Sequence, residues 1–452
     1  MKIIIIGCGK VGESLACELN EEGNDITVVD QNPDKAKYIV TKYDVMGVIG
    51  NGATRDVQKD AGVDSADLLI AVTGSDELNL LCCIMARKAG GCQTIARIKN
   101  PEYARDTAYL RDELGLAMVI NPEYMAAKEI TRILNFPSAI KVETFSRGRI
   151  ELLKFRLPEK SPLVGLSMRE AMTKLKCNVL VCTVERDDEA FIPKGDFVFA
   201  ERDVISIISS AKSAKEFFNK IGYALDPIKD CVIIGGGTLT HYLCEMLEKS
   251  GVSVKVIEKD KAVCEELAAA FDDVTVIHGD PTKEDVLREE RAADAGAFIA
   301  LTSLDEENIL LSLFAKNSGD SKVITKINRI EYDDVINRLE LDSIIYPKNV
   351  TADMIIRYVR ATGNSSGSNM ETLYNLNNGD VEVAEFTVHE GCPLIGTPIS
   401  ELSFKDNVLV GAIIRGRQLI IPRGTAVIEA GDSVVIVAKL LSLSDISDVL
   451  QK

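Results

Sequence analysis

The sequence predicts an α/β protein with two doubly wound parallel sheets, each followed by a small α+β domain. Three observations carry this. Short β-branched runs alternate with helix-period segments, the texture of βαβ units. The whole pattern occurs twice within 452 residues at an almost constant offset. Each copy then closes in a shorter stretch of different character, marked by Pro-Leu-x-Gly and Ile-Pro-x-Gly turns.

In the first copy the apolar runs are residues 3–6, 26–29, 45–49, 68–72, 94–98 and 117–120. They are nearly continuous, as strands buried on both faces of a parallel sheet require. Val11, Leu15 and Leu19 fall at helical spacing between the first two runs. The loop Gly7-Cys8-Gly9-Lys10-Val11-Gly12 follows the first run and opens that helix. In such a loop the first glycine makes the tight turn. The second lets a pyrophosphate approach the backbone, and the third lets helix and strand pack closely. The helix N-terminus offers free N–H groups to phosphate. Asp30 closes the second run, one helix and one strand beyond Gly12. A carboxylate there accepts both hydroxyls of an adenosine ribose and repels a 2′-phosphate, which favours NAD over NADP. Strand, glycines, helix, strand and acid in series predict a Rossmann-like site, where a lone glycine motif would be weak.

The second copy repeats these landmarks. Gly235-Gly236-Gly237-Thr238-Leu239 stands where the first loop stood, and Glu258 follows Asp30 at the same offset. Thr302 and Lys326 repeat Thr73 and Arg97 with a single position of drift. Two changes matter. Thr240 replaces the third glycine, and its β-branched side chain is expected to push helix and strand apart. Lys326 replaces Arg97, a point charge where a bidentate fork stood. NAD(H), ATP, ADP or no ligand all remain open for this second site. Thr73 and Thr302 fall beside the ligand crevice. The acids after them, Asp76, Glu77, Asp305 and Glu306, are expected to serve as helix N-terminal charges.

The shorter segments predict strands over 150–157, 178–184, 190–192 and 204–208, with a helix over 168–175. Strands are expected again over 381–388, 408–414, 418–421 and 433–437. Residues 362–368 read as a flexible linker, and Asp187-Asp188-Glu189 as a solvated turn. The expected domains are 1–135, 140–222, 229–360 and 370–452. At roughly 80 residues, each small domain gains stability by docking or oligomerisation.

Charge and composition exclude several classes. There are 52 basic and 69 acidic side chains, a net charge of −17, which argues against nucleic acid as a partner. No apolar run approaches the roughly 18 to 20 residues of a membrane span. The first residues are wrongly built for a signal peptide. The 11 cysteines form no C-x-x-C pair and histidine stands only at 241, 278 and 389, so neither zinc nor a disulfide framework is expected. Reduced, buried thiols in a cytoplasmic protein fit better. An NAD-dependent oxidoreductase is the rival reading, but the first copy contains no histidine to move a proton. A redox-sensing regulator, whether of transcription or of another transport system, is the other alternative. No helix-turn-helix or basic face supports the transcriptional form.

The Gly-x-Gly-x-Val-Gly loop, Asp30, Val72-Thr73-Gly74-Ser75-Asp76-Glu77-Leu78-Asn79 and Ala96-Arg97-Ile98-Lys99 resemble the RCK (KTN) domains that regulate potassium transport. The small domains resemble the RCK C-terminal domain. The duplicated layout resembles the peripheral RCK subunits of bacterial Trk potassium uptake systems. The resemblance implies a cytosolic regulator without catalytic residues or metal, a homotetrameric ring of eight Rossmann lobes. That ring would dock under a membrane-embedded Trk channel subunit, peripheral to the inner face of the plasma membrane, with no insertion of its own. It implies NAD(H) in the first Rossmann domain and NAD(H), ATP or ADP in the second. The family's nucleotide residues then fall on Gly7, Cys8, Gly9, Lys10, Val11, Gly12, Asp30, Thr73, Gly74 and Arg97. In the second domain they fall on Gly235, Gly236, Gly237, Thr238, Leu239, Glu258, Thr302 and Lys326.

Overall fold

The computed structural model describes residues 1–451 except 105, 159, 188, 224–227, 329–332, 340, 364–367, 377–379 and 440–442. Its first sheet contains β1 (Lys2–Ile6), β2 (Asp25–Asp30), β3 (Met46–Ile49), β4 (Leu68–Ala71), β5 (Gln93–Arg97) and β6 (Met118–Ile120). They are all parallel, in the order 3-2-1-4-5-6. Between and after them run α1 (Lys10–Glu21), α2 (Pro33–Tyr43), α3 (Arg55–Asp60), α4 (Asp76–Ala89), α5 (Pro101–Ala104), α6 (Thr107–Leu114) and α7 (Pro122–Asn135). β1 lies at the centre, where Ile5 pairs with Val28 on one side and Ile70 on the other. Strand order reverses between β1 and β4, and that switch point opens a crevice at the carboxyl ends of the strands.

The second sheet is antiparallel: β7 (Lys141–Phe145), β8 (Ile150–Arg156), β9 (Val179–Arg186), β10 (Glu189–Phe191) and β11 (Val204–Ser209), in the order 10-9-11-8-7. α8 (Met168–Leu175) starts at a capping box between Ser167 and Glu170, and α9 (Ala211–Ile221) closes the domain. The third sheet repeats the first: β12 (Asp230–Ile234), β13 (Ser253–Glu258), β14 (Val274–His278), β15 (Ala297–Ala300), β16 (Lys322–Lys326) and β17 (Ser343–Ile345), in the order 14-13-12-15-16-17. Its helices are α10 (Thr238–Lys249), α11 (Lys261–Ala270), α12 (Glu284–Glu289), α13 (Asp305–Ser318), α14 (Asp333–Arg338) and α15 (Pro347–Gly363). The fourth sheet is antiparallel again: β18 (Ser368–Leu376), β19 (Val381–Val388), β20 (Val408–Arg415), β21 (Gln418–Ile420) and β22 (Ser433–Lys439), in the order 18-19-22-20-21.

The expected fold class is therefore the observed one. Two strands went unforeseen. β7 is short and carries charge at Lys141 and Glu143, so it shows no apolar run. β18 begins at Ser368, inside the stretch expected to be linker, and α15 reaches Gly363 on the other side. Residues 364–367 of that stretch lie outside the described residues.

The chain divides into two compact units. Met1–Thr131 and Lys229–Ile356 form one, and Arg132–Ile228 and Arg357–Lys452 form the other. The first holds both parallel sheets. The second holds both antiparallel sheets, and these share a core in which Phe145, Ile150 and Leu152 pack with Val381, Val383 and Val435. Buried Glu385 sits within it, accepting from Ser146 N (3.0 Å), Thr372 Oγ1 (3.1 Å) and the hydroxyls of Ser146 and Ser433. Duplication reaches individual contacts. Arg186 grips Asp203 through two bonds of 2.8 Å, and Arg415 grips Asp432 at 2.9 and 2.8 Å, both acids being almost fully buried.

Candidate functional site

A cavity of about 560 Å³ opens at the switch point of the first parallel sheet. That volume is in the range of small-molecule sites. Gly7, Gly9, Lys10 and Val11 line it from the loop after β1, Asp30 from the end of β2, Thr73 and Gly74 from beyond β4, and Arg97 from the end of β5. Cys8 and Gly12 do not line it. Asn328 and Pro347 close part of its rim from the second parallel domain of the same unit.

The loop is shaped by what it approaches. Gly7 has φ +108°, and a Cβ on Gly12 would stand 1.8 Å from the Gly7 carbonyl oxygen. A Cβ on Gly9 would meet no protein atom within 4 Å, so protein packing does not demand a glycine there. A ligand pressed to the backbone would. α1 starts at Gly9 without a side-chain cap, which leaves first-turn N–H groups for an anion.

Asp30 is pinned by the backbone. Its Oδ2 accepts from Cys8 N (2.7 Å) and its Oδ1 from Asn32 N (2.8 Å). Each oxygen keeps a further lone pair, so the carboxylate can receive two ribose hydroxyls without moving. The Cys8 thiol is pushed up to about 12, first by burial and then by the Asp30 charge, and stays protonated at neutral pH.

The far wall depends on Asn79, a residue the sequence reading did not single out. Its Oδ1 accepts from Thr73 N (2.8 Å) and Thr73 Oγ1 (2.7 Å), and its Nδ2 donates to the Arg97 carbonyl (2.9 Å). One buried amide thus joins the ends of β4 and β5. The signal for it was present, since Asn79 and Asn308 stand at the same repeat offset as Thr73 and Thr302. Arg97 Nη2 meets Glu123 Oε1 at 2.5 Å, while Arg97 Nε and Glu123 Oε2 are buried without a hydrogen-bond partner. Glu123 carried no signal in the sequence.

The acids Asp76, Glu77, Asp305 and Glu306 stand in the first turns of α4 and α13 as expected, but two of them do more. Ser75 caps α4, accepting from Leu78 N at 3.2 Å. Buried Asp76 points elsewhere, accepting from Lys99 N (3.0 Å) and Asn100 N (2.8 Å), and so holds the turn after β5. Asp305 does the same for Asn328 N at 3.0 Å. Backbone N–H groups with no other partner in the turn draw the carboxylate to them.

The second set gathers at the corresponding ends of β12, β13, β15 and β16. Gly235 has φ +98° and Gly237 faces open space like Gly9. Glu258 is pinned as Asp30 is, accepting from Gly236 N (2.6 Å) and Asp260 N (2.7 Å). Thr238 opens α10 and Leu239 is buried behind it. Thr302 N donates to Asn308 Oδ1 at 2.8 Å, and Asn308 Nδ2 to the Lys326 carbonyl at 3.0 Å. Thr240 is fully buried and its hydroxyl donates to the Gly235 carbonyl. Lys326 Nζ donates to the Leu301 carbonyl at 2.9 Å, and burial pulls the ammonium down to about 8. Tyr103 donates its hydroxyl to Glu77 Oε1 at 3.0 Å.

A family model for the TrkA-N domain matches residues 3–122 and 231–347, and one for the TrkA-C domain matches 152–222 and 383–451. The chain is 32% identical over 454 residues to the Trk system potassium uptake protein TrkA homolog 1 of Methanosarcina mazei, covering 99% of each. It is 32% identical over 444 residues to the Trk system potassium uptake protein TrkA of Halomonas elongata, covering 96% of this chain and 95% of that one. Among solved structures, the GsuK channel bound to NAD matches with a TM-score of 0.63 at 18% identity, over 97% of this chain and 77% of that chain. At that identity the likeness is one of fold.

Proposed function

This chain belongs to the TrkA family of potassium uptake proteins, and we propose that it senses a nucleotide and reports it to a membrane-embedded Trk-type potassium channel subunit. The observation that carries this is the cavity in which Gly7, Gly9, Asp30, Thr73 and Arg97 face one space. Those groups match an adenine dinucleotide part by part. Asp30 takes the adenosine ribose, the start of α1 takes the pyrophosphate, and Arg97 takes further phosphate or ribose once Glu123 shares it. NAD(H) is the ligand of the first site. In the second, Glu258 suits the ribose of NAD(H), ATP or ADP, and Lys326 supplies a weaker phosphate contact than Arg97. The NAD in the related GsuK channel supports this reading.

The nucleotide is read and left chemically unchanged. Gating then requires only that the ligand bind two shapes of the assembly unequally. A swing from 1:99 to 99:1 takes about 5.5 kcal/mol, which several identical sites can share. The working assembly is a cytoplasmic homotetramer built from domains 1–135, 140–222, 229–360 and 370–452. It reaches the membrane through its partner. Among the described residues no helix is long and apolar enough to cross a bilayer. Calorimetric titration of NADH into the full chain tests the reading. Asp30→Ala should lower the affinity at least tenfold, about 1.4 kcal/mol, with circular dichroism unchanged. Equal affinity in the two proteins would sink it.

A further inference from the structure

We infer that Tyr242 straps the second glycine loop to the wall of the first cavity, so that occupancy of the second site sets the affinity of the first. Tyr242 lies one turn into α10, the helix that begins at that loop. It is 3% exposed. Its hydroxyl donates to the Lys99 carbonyl (2.9 Å) and accepts from Asn121 Nδ2 (2.9 Å). Its ring meets Tyr124 edge-on, with centroids 5.5 Å apart. All three partners belong to the first parallel domain and flank its cavity. Lys99 comes two places after Arg97. Asn121 comes two before Glu123, and its Oδ1 fixes the start of α7 by accepting from Tyr124 N at 2.9 Å. Arg97 and Glu123 pair with each other and line the cavity.

The strap has little slack. The phenol proton is committed to a carbonyl, a lone pair is committed to an amide, and the ring is buried. Hydrogen bonds of this kind weaken steeply with misalignment. An anion arriving at the start of α10 acts on the helix whose N-terminal dipole it meets. Any displacement of α10 therefore carries Lys99 and Asn121 with it or leaves their polar groups unmatched in a buried place. The first domain has Ser14 at the corresponding position, counted from Gly7 as Tyr242 is from Gly235. Its hydroxyl donates to Glu18 Oε1 of its own helix at 2.8 Å. Duplication thus left this strap on one copy, although linkage makes its thermodynamic effect mutual.

The inference rests on both loops binding nucleotide, and its test separates the two ideas. NADH is titrated calorimetrically, at saturating ADP, into the full-length wild type and into Glu258→Ala, Tyr242→Phe and Asn121→Ser. ADP also competes at the first site, so each NADH affinity is taken from a series of ADP concentrations and corrected for that competition protein by protein. The affinity of the Asp30-dependent site should differ about fivefold or more between wild type and Glu258→Ala, the lower end of usual coupling. Tyr242→Phe keeps the ring and Asn121→Ser keeps a capping oxygen, so both should fold, and both should behave as Glu258→Ala does. If wild type and Glu258→Ala coincide, the sites are independent and the inference falls. It falls equally if Tyr242→Phe retains the wild-type affinity while Glu258→Ala does not. NADH binding that ignores Asp30→Ala would instead remove the nucleotide reading itself.

Discussion

In the first parallel domain, helix α1 packs on its loop through Gly12, which has no room for a side chain. In the second, Thr240 fills that position and bonds the Gly235 carbonyl. A similar exchange occurs on the ribose side. Cys8 and the cavity-lining Lys35 become Gly236 and Val263, and a Cβ on Gly236 would stand 2.7 Å from Val263 Cγ1. Against this, Asp30 and Glu258 hold the same backbone N–H groups, and Asn79 and Asn308 join the same strand ends. Interactions that pin the backbone survive duplication, while the loop's small residues and the cavity-lining Lys35 change. The antiparallel repeats show the same split. Glu382, second in β19, is locked to Arg360 at 2.9 and 3.1 Å. Its counterpart Glu151, second in β8, has one buried oxygen without a hydrogen bond and is pushed up to about 7 by burial.

Four substitutions test how deep this divergence runs. The largest effect belongs to Glu382→Ala, which strands the buried Arg360 charge and should cost about 3–5 kcal/mol in urea unfolding. A loss under about 1 kcal/mol would show that solvent or another acid already serves Arg360. Gly12→Thr imposes the second loop's residue on the first. It should cost about 1–3 kcal/mol by overpacking and weaken NADH binding at the Asp30 site about tenfold, read by melting and titration together. Undiminished binding would show that the two loops are interchangeable. Glu151→Gln should do the opposite of Glu382→Ala. The folded chain holds the Glu151 proton to about pH 7 against an ordinary 4.5, so wild-type stability falls as pH rises through that window. The variant should gain about 1–2 kcal/mol above pH 7, after allowance for solvent screening, and nothing below about pH 4.5. A gain independent of pH would point to packing. The smallest change is Thr240→Val, which keeps the shape and drops one hydrogen bond, about 1 kcal/mol in the same urea unfolding.

Much of this was legible because it was local. The central strands announced themselves as continuous apolar runs, and the loop glycines and Asp30 are residue types demanded by short-range geometry. The two parallel sheets followed from the alternation of strand and helix patterns and from its repeat. What escaped was decided at long range. β7 and β18 pair with strands whose own runs were clear, yet their residues alternate with polar ones that only the partner sheet buries. Asp76 looked like a helix-end charge because its true partners, Lys99 N and Asn100 N, lie a whole helix and strand further along the chain. Glu123 became a cavity residue only when α7 folded back beside Arg97. No spacing rule links Tyr242 to Asn121, which sit in different copies of the repeat.

The shared core of the antiparallel sheets has a kinetic meaning. Val383 and Val435 come from one half of the sequence and Phe145 and Leu152 from the other. Were the halves separate polypeptides, each would expose a greasy face until it met a mate, at a rate set by concentration. Joined in one strand of peptide, they find each other at a local concentration of about millimolar, whatever the cell contains. The fused gene product thereby guarantees a one-to-one pairing of unlike halves and frees each to specialise.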